Sequence, residues 1–159
     1  MLFFASALLA LSSLVSVRAL TGEVTFYTPG LGACGISNTE NDFVAAISHF
    51  TFDTFPGATP NPNLNPICGR NLRATYQGKS VVVKVVDKCP GCGGANDVDM
   101  SPIAFRVLAP EAVGRLFGVE WDWTDSAPGP ARKREESARS NVINNTHRMV
   151  RVRSAPHAA

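Results

Sequence analysis

Past its first nineteen residues, this 159-residue chain has no apolar run near the roughly 20 residues that a spanning helix needs. That absence removes a membrane span from the rest of the chain. Histidine is scarce, at three residues, and none stands at zinc-finger spacing from the single Cys-x-x-Cys, Cys89 to Cys92. No metal and no cofactor are therefore expected. Aromatic residues make up only 8% of the chain, and no basic stripe is interleaved with them, so nucleic acid is not an expected partner. No stretch repeats another, which excludes solenoids and propellers.

What is present divides the chain in three. Residues 1–19 open Met1-Leu2-Phe3-Phe4, stay apolar or small to Val17, and end Val17-Arg18-Ala19, with small residues where signal peptidase cuts. They are expected to be a secretory signal, which makes the protein extracellular. The remaining 140 residues suit one domain and leave little room for a second. Composition changes after Asp125. Residues 127–159 begin with Pro128, Gly129 and Pro130, carry Arg132-Lys133-Arg134, and hold few large apolar side chains, so a disordered tail is expected there. The formal charge of +2 hides an asymmetry. Between Thr21 and Ser126 there are seven Lys/Arg against eleven Asp/Glu, whereas the tail has seven against two. The domain is acidic and the tail basic. Lys133-Arg134 forms a dibasic processing signal, and Asn144-Asn145-Thr146 marks Asn144 for glycosylation.

Within 20–126 the pattern is one of short strands. Glu23 to Thr28 is rich in β-branched and aromatic residues and stops at Pro29-Gly30. Phe43 to Ile47 fits a strand or a short helix. The segment from Pro56 to Pro66 reads as an irregular surface loop. Gln77-Gly78 turns a hairpin between Leu72 to Tyr76 and Ser80 to Val86. In the second arm Val81, Val82, Val83, Val85 and Val86 form a run expected of a strand covered on both faces. Ser101-Pro102 predicts a helix start, with the serine hydroxyl capping free amides. A second short helix is expected from Pro110-Glu111, carrying Val113 and Leu116, and a closing strand covers Gly118 to Trp123. The expected fold is mainly β: a compact barrel with short helices, monomeric.

Cys34, Cys68, Cys89 and Cys92 predict two disulfides in a secreted domain, with three pairings open. The hairpin register sets Cys68 opposite the residues just after Val86, which favours Cys68 with Cys92 and Cys34 with Cys89.

The segments Gly22 to Tyr27, Gly32-Ala33-Cys34-Gly35, Val81 to Phe105 and Val119-Glu120-Trp121 together resemble the six-stranded double-psi β-barrel proteins related to expansins, barwin and bacterial RlpA. The nearest type is the fungal single-domain expansin-like or loosenin-like group. The strongest piece is Asp87-Lys88-Cys89-Pro90-Gly91-Cys92 with Asp99-Met100-Ser101 downstream. The resemblance implies a polysaccharide groove lined by Thr25, Asp87 and Asp99, with Tyr27 beside them at the end of the first strand. Cellulose, chitin or another glucan is the implied ligand. Where bacterial expansins carry a tyrosine two residues after the first aspartate, this chain has Cys89. On cysteine pairing the resemblance is divided: barwin implies Cys34 with Cys89, grass-pollen expansins Cys34 with Cys68.

Glycoside hydrolysis generally needs two carboxyl groups. The related family 45 glucanases keep their acid at the position of Asp99 and their base in the first strand. Here that strand ends Tyr27-Thr28-Pro29, without a carboxylate. Asp99 is thus the candidate acid of a protein expected to bind and loosen polysaccharide rather than cut it. Two alternatives come from the same resemblance. Ile47-Ser48-His49 with Asp99 is similar to RlpA lytic transglycosylases, with His49 assisting the acid on peptidoglycan. Other small barrels of this kind are protease inhibitors or effectors, which would present the 56–66 loop.

Overall fold

The computed structural model describes residues 19–126 and 128–130. Seven strands alternate with short helices: β1 (Leu20–Phe26), β2 (Val44–Ser48), α1 (His49–Asp53), β3 (Asn71–Tyr76), β4 (Lys79–Cys89), β5 (Val98–Met100), α2 (Pro102–Leu108), β6 (Leu116–Thr124) and β7 (Gly129–Pro130). The hydrogen-bonded order runs β2, β5, β1, β6, β3, β4, and β4 returns to β2, so six strands close into a barrel. The pairs β1–β5 and β2–β4 are parallel, and the other four pairings in the ring are antiparallel. Closure leaves no long free edge for another chain to extend. The apolar run expected at Phe43 to Ile47 resolves as the strand Val44–Ser48, because its β-branched and small residues are paired on both sides, by β4 and β5.

The valine run behaves as its pattern predicts. Val81, Val83 and Val85 join the central core with Val24, Leu72, Val98, Met100, Leu116 and Trp121. Val82 and Val86, on the outer face, are buried as well. Val82 pairs with Gly129 of β7, and the Val86 carbonyl accepts the Cys34 amide at 3.1 Å. Gly32 permits that approach, because a Cβ there would lie 2.4 Å from the Val86 carbonyl oxygen. The hairpin turns where expected: Gln77 and Gly78 both have positive φ, 47° and 78°, as a type I′ turn requires. From α2, Phe105, Ala104 and Leu108 plug the barrel, with Phe105 5.0 Å from the Phe26 ring.

Three local expectations change. Ser101 precedes α2, but its hydroxyl does not cap the helix; it donates to the Asp42 carbonyl at 2.6 Å, tying the helix start to the loop before β2. The second helix shrinks to a single turn, Glu111–Val113, because Leu116 already belongs to β6. The disulfides are Cys34–Cys68 and Cys89–Cys92, not the pairing favoured by hairpin register. The reason is that two loops converge on one stretch of β4: Cys34 donates to the Val86 carbonyl, and Gly69 donates to that of Val85. Cys34 and Cys68 therefore meet each other, and Cys89 is left to its near neighbour. The first bridge joins residues 34 apart and restricts the unfolded chain by about 3–4 kcal/mol; the second joins residues three apart and contributes roughly 2 kcal/mol.

Of the expected signal at 1–19, residues 1–18 lie outside the described residues, as do 127 and 131–159 of the expected disordered tail, with its expected processing site Lys133-Arg134 and glycosylation acceptor Asn144. Gly129 and Pro130, expected in the tail, instead pair with Val82 and Val81 of β4 as β7. Among the described residues no helix is long and apolar enough to cross a membrane, and no group of side chains could hold a metal ion.

Candidate functional site

Strand register brings four residues into one row. Thr25 on β1 pairs with Asp99 on β5, Asp99 pairs with Ala46 on β2, and Ala46 pairs with Asp87 on β4. Paired residues in neighbouring strands share a face, so the row reads Thr25, Asp99, Ala46, Asp87 across the barrel surface. Because Ala46 is small, the row opens into a groove of about 370 Å³. Tyr27 and Glu23, two positions to either side of Thr25, line it too, along with Arg115 and the 89–92 turn.

The aspartates in this region do different work. Asp97 is buried and fully engaged: Oδ1 accepts the Glu23 amide at 2.9 Å and Oδ2 the Gly94 amide at 2.7 Å. It clamps the 93–97 loop to β1. Asp87 uses Oδ1 twice, accepting the amides of Ala33 at 2.7 Å and Lys88 at 2.8 Å. These amides come from the 32–35 loop and its own strand, so Asp87 anchors the wall while still facing the groove.

Asp99 is the exception. Thr25 Oγ1 donates to its Oδ1 at 2.8 Å, which leaves Oδ2 to the groove. Burial pushes its carboxyl above the usual range, and the neighbouring Asp87 charge adds to this; the Thr25 hydrogen bond and the Arg115 charge oppose it. Tyr27 is raised as well, by burial first and then by Asp87 and Asp99, so its phenol stays a neutral donor. The ring packs on a small cluster of Ala46, Cys89 and Cys92.

His49 opens α1 with its ring against Phe50, centroids 3.9 Å apart, and is not among the side chains lining the groove. Lys88 reaches away to Asp53 at 3.1 Å, across the Phe52 ring. Thr28, beside the place of the family 45 base, donates to Glu40 at 2.9 Å, and Glu40 does not line the groove. Trp121 is core, its indole N–H donating to the Asn96 carbonyl at 2.8 Å. Trp123 is covered by Arg70, whose guanidinium sits 4.0 Å from its ring centroid. Trp121 is thus closed to a ligand, and Trp123 has Arg70 over its ring.

Sequence reasoning missed Glu23 and Arg115. Period-2 alternation from Thr25 would have found Glu23. Nothing local marks Arg115, which is set beside the groove by the pairing of Val24 with Leu116 and ion-pairs with Glu23.

No protein-family model matches the chain. A homologue of allergen Asp f 7 from Arthroderma benhamiae is 39% identical over 116 residues, 64% of this chain and 38% of that protein. The chain thus spans about two fifths of that relative. The papain inhibitor of Streptomyces mobaraensis is 39% identical over 111 residues, covering 65% of this chain and 71% of the inhibitor. A solved Streptomyces papain inhibitor superposes with a TM-score of 0.60 at 35% identity, over 67% of this chain and 94% of that one. An expansin from Clavibacter michiganensis, solved in complex with cellohexaose, superposes with a TM-score of 0.54 at 22% identity, over 72% of this chain and 54% of that one, a likeness of fold. With its closed barrel and its match across most of a 39% identical relative, this chain belongs to the expansin-like double-psi β-barrel proteins of the barwin-related superfamily.

Proposed function

We propose that the protein is a secreted cell-wall polysaccharide-binding protein that loosens glucan or chitin networks without hydrolysing them. The observation that carries this reading is the Asp99 carboxyl, fixed by Thr25 through one oxygen and raised by burial at the floor of an open groove. A neutral carboxylic acid both donates and accepts. It can therefore take up a sugar hydroxyl that would otherwise bond to a neighbouring chain. Tyr27 adds a phenol on the same side, and Asp87 an acceptor across Ala46.

Cutting demands more. A second carboxyl must attack the anomeric carbon or activate water. The first strand offers Thr28 and Pro29 at the expected place, and the Asp87 oxygen Oδ1 is occupied by two backbone amides. The groove thus supplies an acid with no carboxylate at the expected place of the base, and an Asp87 held at the wall by two amides. The likeness to an expansin solved with cellohexaose is in keeping with a sugar ligand.

A second reading has its own support, the papain inhibitor matched over 71% of its length. There the ligand would be a papain-like cysteine protease. One experiment separates the two. Purified protein is incubated with insoluble cellulose, chitin and peptidoglycan while bound protein and released reducing sugar are measured, and papain activity is assayed in parallel. Retention on a polysaccharide with no sugar release supports loosening. Sugar release that vanishes in Asp99→Asn would overturn the non-hydrolytic reading. Papain inhibition without polysaccharide retention would favour the second.

A further inference from the structure

We propose that Cys89–Cys92 is a redox-active disulfide that opens and re-forms by exchange with an external dithiol, while Cys34–Cys68 is a permanent staple. The two bridges occupy different surroundings. Cys34 belongs to the central core, with Cys68 packed against it. Cys89 and Cys92 belong instead to the small separate cluster with Ala46 and Tyr27, at the wall of the open groove. Cys89 and Cys92 are themselves largely buried, at 7% and 9% exposure, and Cys68 is the more open of the four; but both Cys89 and Cys92 line the groove and Pro90 and Gly91 between them are exposed, so the groove is the side from which a small thiol approaches this bridge.

The bridge restrains the unfolded chain less than Cys34–Cys68 does, since it joins residues only three apart. Its spacing, Cys89-Pro90-Gly91-Cys92, is one that lowers thiol pKa in exchange chemistry. The neighbouring strand supplies a further reason. Ser48 pairs with Cys89 in the parallel β2–β4 ladder, so their side chains share a face. Ser48 is completely buried and its Oγ has no hydrogen-bond partner. A buried hydroxyl without a partner is costly. A thiolate at Cys89 would supply the strong acceptor that the disulfide does not.

The step follows from that placement. A thiolate of the dithiol attacks the Cys92 sulfur, forming a mixed disulfide and expelling Cys89 as a thiolate toward the Ser48 hydroxyl. The second thiolate of the reductant attacks its own sulfur in the mixed disulfide, releasing Cys92. The dithiol ends as a disulfide, having lost two electrons and two protons; Cys89 and Cys92 gain both. Glutathione disulfide reverses the reaction by being reduced to two glutathione thiols.

The test is native thiol trapping. Folded protein is treated with dithiothreitol at neutral pH, alkylated at intervals and mapped by mass spectrometry. The expected result is label on Cys89 and Cys92 at least tenfold faster than on Cys34 and Cys68, with re-closure by glutathione disulfide. Ser48→Ala should slow opening severalfold and Ser48→Thr should restore it, whereas circular dichroism of both variants stays unchanged. Opening of both bridges at one rate, or of neither without denaturant, would overturn the proposal. An unchanged rate in Ser48→Ala would remove the assigned role of the hydroxyl. The readout needs no polysaccharide, so it stands apart from the binding function.

Discussion

The groove beside Ala46 and the aromatic cluster beside Trp123 use opposite strategies on one barrel. In the cluster every large group is already engaged: Trp121 donates to Asn96, its ring meets Trp123 edge-on at 5.3 Å, and Arg70 lies over Trp123 with Phe55 at the side. In the groove, Asp97 is committed to backbone amides through both oxygens and Asp87 through one, whereas Asp99 is held only by the Thr25 hydroxyl and its carboxyl is raised by burial. In the cluster the aromatic rings serve packing, whereas in the groove polar groups, with the Tyr27 phenol, face the ligand space. Recognition should accordingly rest on hydrogen bonds rather than on ring stacking.

That contrast can be broken from the aromatic side first. Trp121→Ala should cost about 3–5 kcal/mol, since it leaves a cavity in the core and orphans the Asn96 carbonyl; the urea midpoint measures it. Replacing Cys34 and Cys68 together with alanine should cost about 3–4 kcal/mol on the same scale. A loss below that of a Cys89→Ala, Cys92→Ala double variant would contradict the staple assignment. In the groove, Asp97→Ala leaves two amides without acceptors and should cost roughly 1–3 kcal/mol. A neutral result would mean that the 93–97 loop holds itself.

The pH dependence sharpens the groove side. The folded protein holds the Asp99 proton more tightly than the unfolded chain does. Stability from this group is therefore complete below the ordinary aspartate range and falls as pH rises from there through the raised folded value. Thermal melts of wild type against Asp99→Asn should show that decline only in the wild type. The smallest effect belongs to Trp123→Ala, which should change polysaccharide retention less than twofold. A large loss would instead make Trp123 a sugar-stacking residue.

Much of the barrel was legible because its signals are local. Five valines around Lys84 announced a strand buried on both faces, and Gln77-Gly78 announced the turn that sets its register. The row was legible only through resemblance, since Thr25 and Asp99 are 74 positions apart and meet by parallel pairing. The disulfides misled for a related reason. Hairpin register places Cys68 along β4, but it says nothing of the 28–38 loop, which folds over Val86 and delivers Cys34 to Cys68 first. Ser101 misled because a hydroxyl before a proline can serve a tertiary carbonyl as readily as a helix end.

The central claim is that Asp99 binds sugar as a neutral donor and does not cut. It is tested most directly by binding isotherms on the retained polysaccharide for wild type, Asp99→Asn and Asp99→Ala, from acid to neutral pH, with reducing sugar measured in the same tubes. Wild type should bind more tightly as pH falls and Asp99→Asn, a permanent donor of the same shape, should bind at every pH as wild type does in acid. Asp99→Ala should lose at least tenfold, and no tube should release sugar. Retention unaffected by Asp99→Ala, or sugar release that depends on Asp99, would contradict the account.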